Sequence, residues 1–372
     1  MNKVLSKLYD SMKQNKIIAS VIAFLYIKKH TLCAESSLKE VEEKRREKGS
    51  SKIKIAVISD EMTWQNLQDD FDTIFLTPKN WRQALGTYQP DFLFCESAWS
   101  GLEKYKHCWR LQIYKSEKYI FNNRKTLFQI LEDCKRHNIT TVFWNKEDPF
   151  FFNHKDYNFS DTALSFDQIY TTAVECVARY VSLGHKQVDT LMFGYNPRLF
   201  FPPIEENREN IAVFAGSWYG EQKERCHDLS LIFDEVLKRG IPLHIYDRQW
   251  QSAKADFEFP EKYRPFVKKG ISYEKLGAVY RQARYVINVN TVKESKTMFA
   301  RRVFEAMACG AIVISNESQG LREIFSERIW FIGSSFHHEK EEAYRRVNIE
   351  YVQGNQTIAK SLKVKLEALA AK

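Results

Sequence analysis

Short apolar runs alternate with longer amphipathic ones over most of the chain. "KIKIAVISD" (52–60) is rich in Ile and Val, continuous where a half-exposed strand would alternate, and ends at an acid. Such a run predicts a strand buried on both faces, as in a parallel sheet. Similar runs follow at 72–76, 91–95, 140–144, 168–172 and 189–193. Helical patterns lie between them, clearest in "RKTLFQILEDCKRHN" (124–138), where Leu127, Ile130, Leu131 and Cys134 share one face. Strands separated by helices imply βαβ units and a parallel sheet covered on both sides.

The rhythm breaks at "FGYNPRLFFPPIEENREN" (193–210), whose prolines and polar residues predict a hinge. It restarts with runs at 211–215, 243–246, 285–289, 311–315 and 329–332. Helices are predicted through "DLSLIFDEVLKRG" (228–240) and from about Phe299 to Ala308, with Gly240 and Gly310 at their C-terminal caps. The expected architecture is two doubly wound α/β domains in tandem, 52–200 and 201–336. They are flanked by an N-terminal segment, 1–51, and a C-terminal one, 337–372. The latter is helical in composition, and Leu362, Leu366 and Leu369 at helical spacing argue against a free tail.

The N-terminal segment carries an apolar run from Ile17 to Ile27, bracketed by Lys13, Lys16, Lys28 and Lys29. It is too short to cross a bilayer, which takes about 20 residues. Lysines directly after the run, with no small-residue cleavage site, count against a signal peptide. Two readings stay open: a helix lying on an anionic membrane surface, or one docked on the protein's own core. "SSLKEVEEKRREKGSSK" (36–52) reads as a charged, solvated helix or linker ending at Gly49, Ser50 and Ser51.

Composition narrows the classes. The 372 residues are 44% apolar with only 14 Gly and 9 Pro, so the chain is well packed with short loops. Its net charge of +9 comes without an RGG tract, zinc-finger spacing or basic-plus-heptad segment, so no nucleic-acid partner is expected. Anionic lipid or a phosphorylated substrate accounts for the charge equally well. Cys33, Cys95, Cys108, Cys134, Cys176, Cys226 and Cys309 form no CxxC pair, which suits reduced thiols in the cytosol.

Candidate chemistry collects at strand ends, where ligands of such sheets bind. Asp60, Glu96 and the pair Glu147 and Asp148 each follow a strand of the first domain; Gly216, Asp247 and Asn290 do so in the second. An acid there can simply cap the next helix, but three acid-ended strands converge on one rim. Glu147 and Asp148 lead as general base, because Pro149 is expected to fix the chain and turn their side chains outward. Glu96 comes next, with Trp99 as a sugar-stacking face or a packing residue, and Asp60 third. His107 and His154 stand alone. Asp69, Asp70 and Asp72 of "NLQDDFD" read as a solvated turn, and no metal site is expected.

In the second domain "VFAGSWYGEQKERC" (213–226) is a strand, a Gly-Ser turn and a helix. Gly216 permits close backbone approach, Ser217 and the following amides suit a phosphate, and Arg225 lies two helical turns on. In "RRVFEAMACGAIVIS" (301–315), Arg302 and Glu305 are three apart on one helical face. They suit an internal pair or, alternatively, a grip on ribose hydroxyls and a diphosphate. Together with Gly216, Ser217 and Arg225 they point to a nucleoside diphosphate.

"RVFEAMACGAIVIS" (302–315) resembles the donor-site signature of GT-B glycosyltransferases. "PDFLFCESAWSG" (90–101), "FWNKEDPFFF" (143–152), "YNPRLFFP" (195–202) and "FAGSWYGEQKER" (214–225) extend the resemblance to the CgeB/YkvP spore-maturation branch, related to family-4 glycosyltransferases. It runs in order from about Lys52 to Ile332. The resemblance implies a GT-B fold, with two Rossmann-like domains facing a central cleft and a last helix crossing back to the first. It implies a nucleotide-diphosphate sugar as donor, with no further cofactor. Glu305 would bind the donor ribose, Gly216, Ser217 and Arg225 would lie near the diphosphate, and Arg302 near phosphate or sugar, with Asn290 on the same rim. The first of the two family-4 glutamates falls at Thr297, and Glu294 is out of register. The expected activity is sugar transfer to a bacterial surface polysaccharide, a lipid-linked precursor or a protein. The expected place is the cytoplasm, at the inner face of the plasma membrane. The alternatives are a nucleotide-sugar epimerase, a polyol-phosphate transferase and a non-catalytic glycan- or coat-binding protein.

Overall fold

The structure, a computed structural model, describes residues 15–32, 36–46, 52–204, 207–252, 255–355 and 357–371. Lys13, Cys33 and the expected turn at Gly49, Ser50 and Ser51 lie outside them. Contacts divide the chain into two compact units, Met1–Leu191 and Met192–Lys372. The division falls ahead of the expected one at residue 200, so the proline-rich stretch belongs to the second unit.

The first unit holds the strands β1 (Lys54–Ile58), β2 (Asp72–Phe75), β3 (Phe92–Glu96), β4 (Thr140–Asn145), β5 (Gln168–Thr171) and β6 (Val188–Thr190). They form one parallel sheet in the order β2-β1-β3-β4-β5-β6. Every residue of β3 is buried, as its unbroken apolar run requires. Leu127, Ile130 and Cys134 of the connecting helix Lys125–Arg136 are buried, and Leu131 is partly so.

Two N-terminal helices, α1 (Lys16–Leu32) and α2 (Ser36–Arg46), dock on this unit. Of the expected solvated helix or linker, the helix is present but packed: Val41 is buried, Ser37 shares a 2.9 Å hydrogen bond with Thr77, and Asn80 donates to the Ser37 carbonyl. Helix α1 seats the small Ala19 and Ala23 inward, and Ser20 Oγ accepts the Ile120 N–H at 2.9 Å. No helix among the described residues is long and apolar enough to cross a membrane.

The second unit holds β7 (Glu209–Gly216), β8 (Leu243–Asp247), β9 (Val267–Lys269), β10 (Ala283–Ile287), β11 (Ile312–Ser315) and β12 (Trp330–Phe331). They too are parallel, in the order β12-β11-β10-β7-β8-β9. Its strands alternate between two cores, as the period of two dictates. Ala212, Phe214, Ile287 and Ile314 pack against Leu229 and Phe233 of α3 (Lys223–Lys238). Val213, Val286 and Val313 pack on the other side against Tyr280 of α4 (Tyr273–Gln282) and Phe304 and Met307 of α5 (Arg302–Ala308). Gly240 and Gly310 end their helices at φ 68° and 72°, the left-handed cap that favours glycine. Helix α5 starts at Arg302, later than the predicted Phe299. The last two helices, Glu341–Asn355 and Ile358–Ala370, bury Val352, Leu362 and Leu366. The six described cysteines are free and buried.

Candidate functional site

In each sheet the strand order reverses once, between β1 and β3 and between β7 and β10. Ligands of doubly wound sheets bind beyond the carboxyl ends of the strands at that reversal. Both rims carry the residues singled out by sequence.

On the first rim Asp60 accepts from the backbone N–H groups of Trp99 (2.8 Å), Ser100 (2.9 Å) and Gly101 (2.8 Å). Lys146 Nζ lies 3.2 Å from both Asp60 Oδ2 and Glu96 Oε1. Glu96 is fully buried and also accepts from the Asp60 N–H and the Thr63 hydroxyl. Burial works to raise the pKa of Asp60, but Lys146 and the three amides outweigh it and hold this carboxyl below its ordinary range. Glu96 is raised, by burial first and by the Asp60 charge, against the pull of Lys146. Both are tied into the fold and neither is a free base.

Glu147, like Asp60, is partly exposed. Its Oε1 accepts the Trp99 indole N–H at 2.9 Å. Burial raises its pKa, Lys146 and Trp99 oppose the rise, and Asp60 and Glu96 add to it. A carboxyl shifted toward neutrality suits general-base work. Asp148 corrects the expectation of two outward side chains. It is fully buried and accepts from Asn145 (2.8 Å), Thr171 (2.8 Å) and Tyr180 (3.0 Å), which draw it inward past Pro149. Burial takes its pKa up to about 7.

Trp99 packs edge-on or tilted among Tyr114, Phe151, Tyr157 and Phe159, with ring centroids 5.1–5.7 Å away. With Ala23 and Tyr26 of α1 and Arg110, the Trp99, Tyr114 and Tyr157 rings border a chamber of about 480 Å³. His154 Nδ1 instead accepts from the Asp156 and Tyr157 backbone, and His107 Nδ1 faces the Gly101 carbonyl. Among the described residues no group of three or more His, Cys, Asp or Glu could hold a metal ion.

On the second rim Gly216 ends β7, and packing requires it. A Cβ there would lie 2.6 Å from the Phe214 ring and 3.2 Å from Arg302 Nη2. Arg302 donates to the Ala215 carbonyl, and Arg225 to the Ser217 carbonyl at 3.2 Å. Neither arginine has a carboxylate partner among the described residues. Burial, then the Arg302 charge, brings the Arg225 pKa down to about 10. Among the described residues the Ser217 hydroxyl is buried without a hydrogen-bond partner, which suits contact with a ligand oxygen. Two buried or half-buried cations beside an unsatisfied hydroxyl make a locus for an anion.

Glu305 does not pair with Arg302. It is 4% exposed, its Oε1 accepts the Tyr273 hydroxyl at 2.8 Å, and Arg301 Nε lies 3.6 Å away on the i,i+4 spacing. Arg302 points instead at β7. Asn290 is a brace: its N–H donates to Asn316 Oδ1 (2.8 Å) and its Oδ1 accepts from the Ala300 N–H (3.2 Å). Asp247 caps its own turn through the Gln249 N–H. Sequence reasoning missed Lys146, Arg248 and Arg301. Lys146 had a signal, since it directly follows β4 and precedes Glu147. Arg248 donates to Tyr219 at 2.9 Å, next to Arg225.

Residues 225–364 match the family described as "Glycosyl transferase-like". The chain is 11% identical to HepE of Anabaena, solved with UDP and glucose, over 86% of this chain and 100% of that one, at a TM-score of 0.52. It is 9% identical to an alpha-glucosyltransferase solved with UDP and a 13-mer DNA, over 85% of this chain and 99% of that one, at a TM-score of 0.50. No curated protein matches. These likenesses define the class by fold: two Rossmann-like α/β units of GT-B type, the second carrying the glycosyl-transferase-like match.

Proposed function

We propose that this protein is a glycosyltransferase that moves a sugar from a nucleoside-diphosphate donor to a hydroxyl acceptor. The observation that carries the reading is the pair Arg225 and Arg302 at the reversal of the second sheet, neither of which forms an ion pair with a carboxylate among the described residues. Two neighbouring guanidinium groups destabilise one another, and an anion held by both offsets that cost. Transfer breaks the bond between the anomeric carbon and the diphosphate oxygen, and the acceptor oxygen forms the new bond to that carbon. The nucleoside diphosphate leaves with its charge met by the two arginines, and Ser217 completes the cradle. The acceptor proton goes to Glu147, the raised and partly exposed carboxyl of the first rim. Glu305 would take ribose hydroxyls through Oε2, the oxygen that Tyr273 leaves free. A glycan, a lipid-linked precursor or a protein at a bacterial surface are the acceptors in view, and placement in the CgeB/YkvP branch rests on the five motifs alone.

The test is calorimetric titration with UDP, GDP, CDP, ADP and dTDP on wild type, Arg302→Gln and Glu305→Gln. One nucleotide should bind wild type. Loss of a charged hydrogen bond of about 1.5–3 kcal/mol should weaken Arg302→Gln by roughly ten- to a hundredfold. If no nucleotide binds, or the arginine variant binds as tightly, the donor site is misassigned. Release of a nucleoside monophosphate would instead mark polyol-phosphate transfer, and conversion of the donor without acceptor an epimerase.

A further inference from the structure

Helix α1 has a second face that the described residues of the first unit leave uncovered. Ile17 (63% exposed), Val21 (53%), Phe24 (47%) and Leu25 (60%) follow one another at helical spacing, and Ile120 (69%) from the adjoining loop extends the strip. They line one open depression of about 710 Å³. Scattered exposed aliphatics are ordinary, but a contiguous strip of five on one helix and its neighbour is an interaction surface. The helix cannot simply roll it inward. Ala19 and Ala23 already face the protein, Ser20 holds the Ile120 N–H, Phe24 meets Phe121 edge-on at 6.1 Å, and His30 is bonded to the Lys106 carbonyl.

The charges around the strip name its occupant. Lys16 stands at one end, Lys28 and Lys29 at the other and Lys125 at the flank, all exposed. Lys28 Nζ lies 4.9 Å from the Phe24 ring, the posture of a lysine whose stem follows apolar surface while its head seeks phosphate. Among the described residues Glu132 is the one acid lining the depression. A second copy docking here by twofold symmetry would bring lysines against lysines. A sheet of anionic phospholipid brings opposite charge to the rim and hydrocarbon to the centre.

We propose that the outer face of α1 binds an anionic phospholipid bilayer, with Ile17, Val21, Phe24, Leu25 and Ile120 entering the boundary between headgroups and acyl chains. This surface stands independently of the donor-site reading. Its inner side borders the Trp99 chamber, so it would bring the first rim to a lipid-borne substrate.

The full chain is sedimented with vesicles of phosphatidylcholine alone and with added phosphatidylglycerol, at low and high salt. Wild type should pellet with the anionic vesicles and less so at high salt. Val21→Glu combined with Leu25→Glu should lower the partition by roughly tenfold or more, the scale of one large aliphatic side chain withheld from the bilayer. Thermal unfolding of that variant should match wild type, since both positions are exposed. If it does not, Leu25→Trp replaces it, and its emission should shift to the blue on adding anionic vesicles. Wild type remaining in the supernatant, a double variant that still pellets, or an unmoved Trp emission would overturn the proposal. So would a concentration-dependent dimer that the same substitutions abolish without any vesicle binding.

Discussion

The two rims use charge in opposite ways. At the first, Asp60 and Glu96 enclose Lys146, and Glu147 stands beside them, so the carboxylates largely find their countercharge within the fold. At the second, Arg225 and Arg302 donate to backbone carbonyls and lie over the Tyr219 and Phe214 rings, and among the described residues neither forms an ion pair with a carboxylate. Both rims lie at the reversal of their own sheet, where strand ends splay and side chains from several strands converge. What differs is whether the convergent charges close on one another. A closed cluster holds the local fold, whereas an open one is kept for something that arrives from solution.

The comparison breaks most sharply at Lys146. Replacing it with methionine leaves Asp60 and Glu96 without their shared cation in the interior. Loss of one partner from a buried ion pair costs about 3–5 kcal/mol, and urea denaturation should read a drop of that order. The double variant Lys146→Met with Glu96→Gln should recover part of it, because the two sites are coupled. Arg225→Gln in the same assay should stay within about 1 kcal/mol of wild type, since only one bond to a carbonyl is lost and a like charge is relieved. Equal losses at both rims would erase the distinction.

Asp148 gives a pH-dependent version of the same contrast. Its carboxyl titrates near 3.8 when unfolded and at about 7 in the fold. The folded state therefore binds the proton more tightly, and the contribution is present at low pH and lost as pH rises from about 4 to 7. Over that window stability should fall by up to about 1.4 kcal/mol per pH unit, and Asp148→Asn should remove this slope. Identical pH profiles of unfolding for wild type and Asp148→Asn would show that Thr171, Tyr180 and Asn145 compensate the buried charge completely.

Much of the fold was legible because a strand buried on both faces needs an unbroken apolar run, and "AVI" in β1, "FLFC" in β3 and "IVIS" in β11 supply it. The edge strand β9 was not, since "VKK" is short and exposed and pairs on one side only. Strand ends also placed Asp60, Glu96 and Gly216 on rims correctly. What could not be read was where side chains turn. Asp148 is drawn inward by Thr171 and Tyr180, far along the chain, and Glu305 takes its partner at i,i+4 from Arg301 where i,i+3 to Arg302 looked as good. Side-chain direction is decided by neighbours in space, and a single sequence lists only neighbours in order.

The mildest test concerns Trp99, which couples Asp60 to Glu147, the partly exposed carboxyl whose pKa is raised. Its backbone N–H binds Asp60 and its indole N–H binds Glu147. Trp99→Phe keeps the backbone bond and most of the packing against Tyr114, Tyr157 and Phe159 while removing the donor to Glu147. A hydrogen bond of about 0.5–1.5 kcal/mol favours the ionised form, and its loss should raise the Glu147 pKa by up to about one unit. If Glu147 is the base, the acidic limb of kcat/KM against pH should move upward by that amount, with the plateau reached at higher pH little changed. Glu147→Gln should abolish the limb together with most of the activity. A limb that stays in place in Trp99→Phe would return Glu147 to the closed cluster and leave the base to be sought elsewhere on the rim.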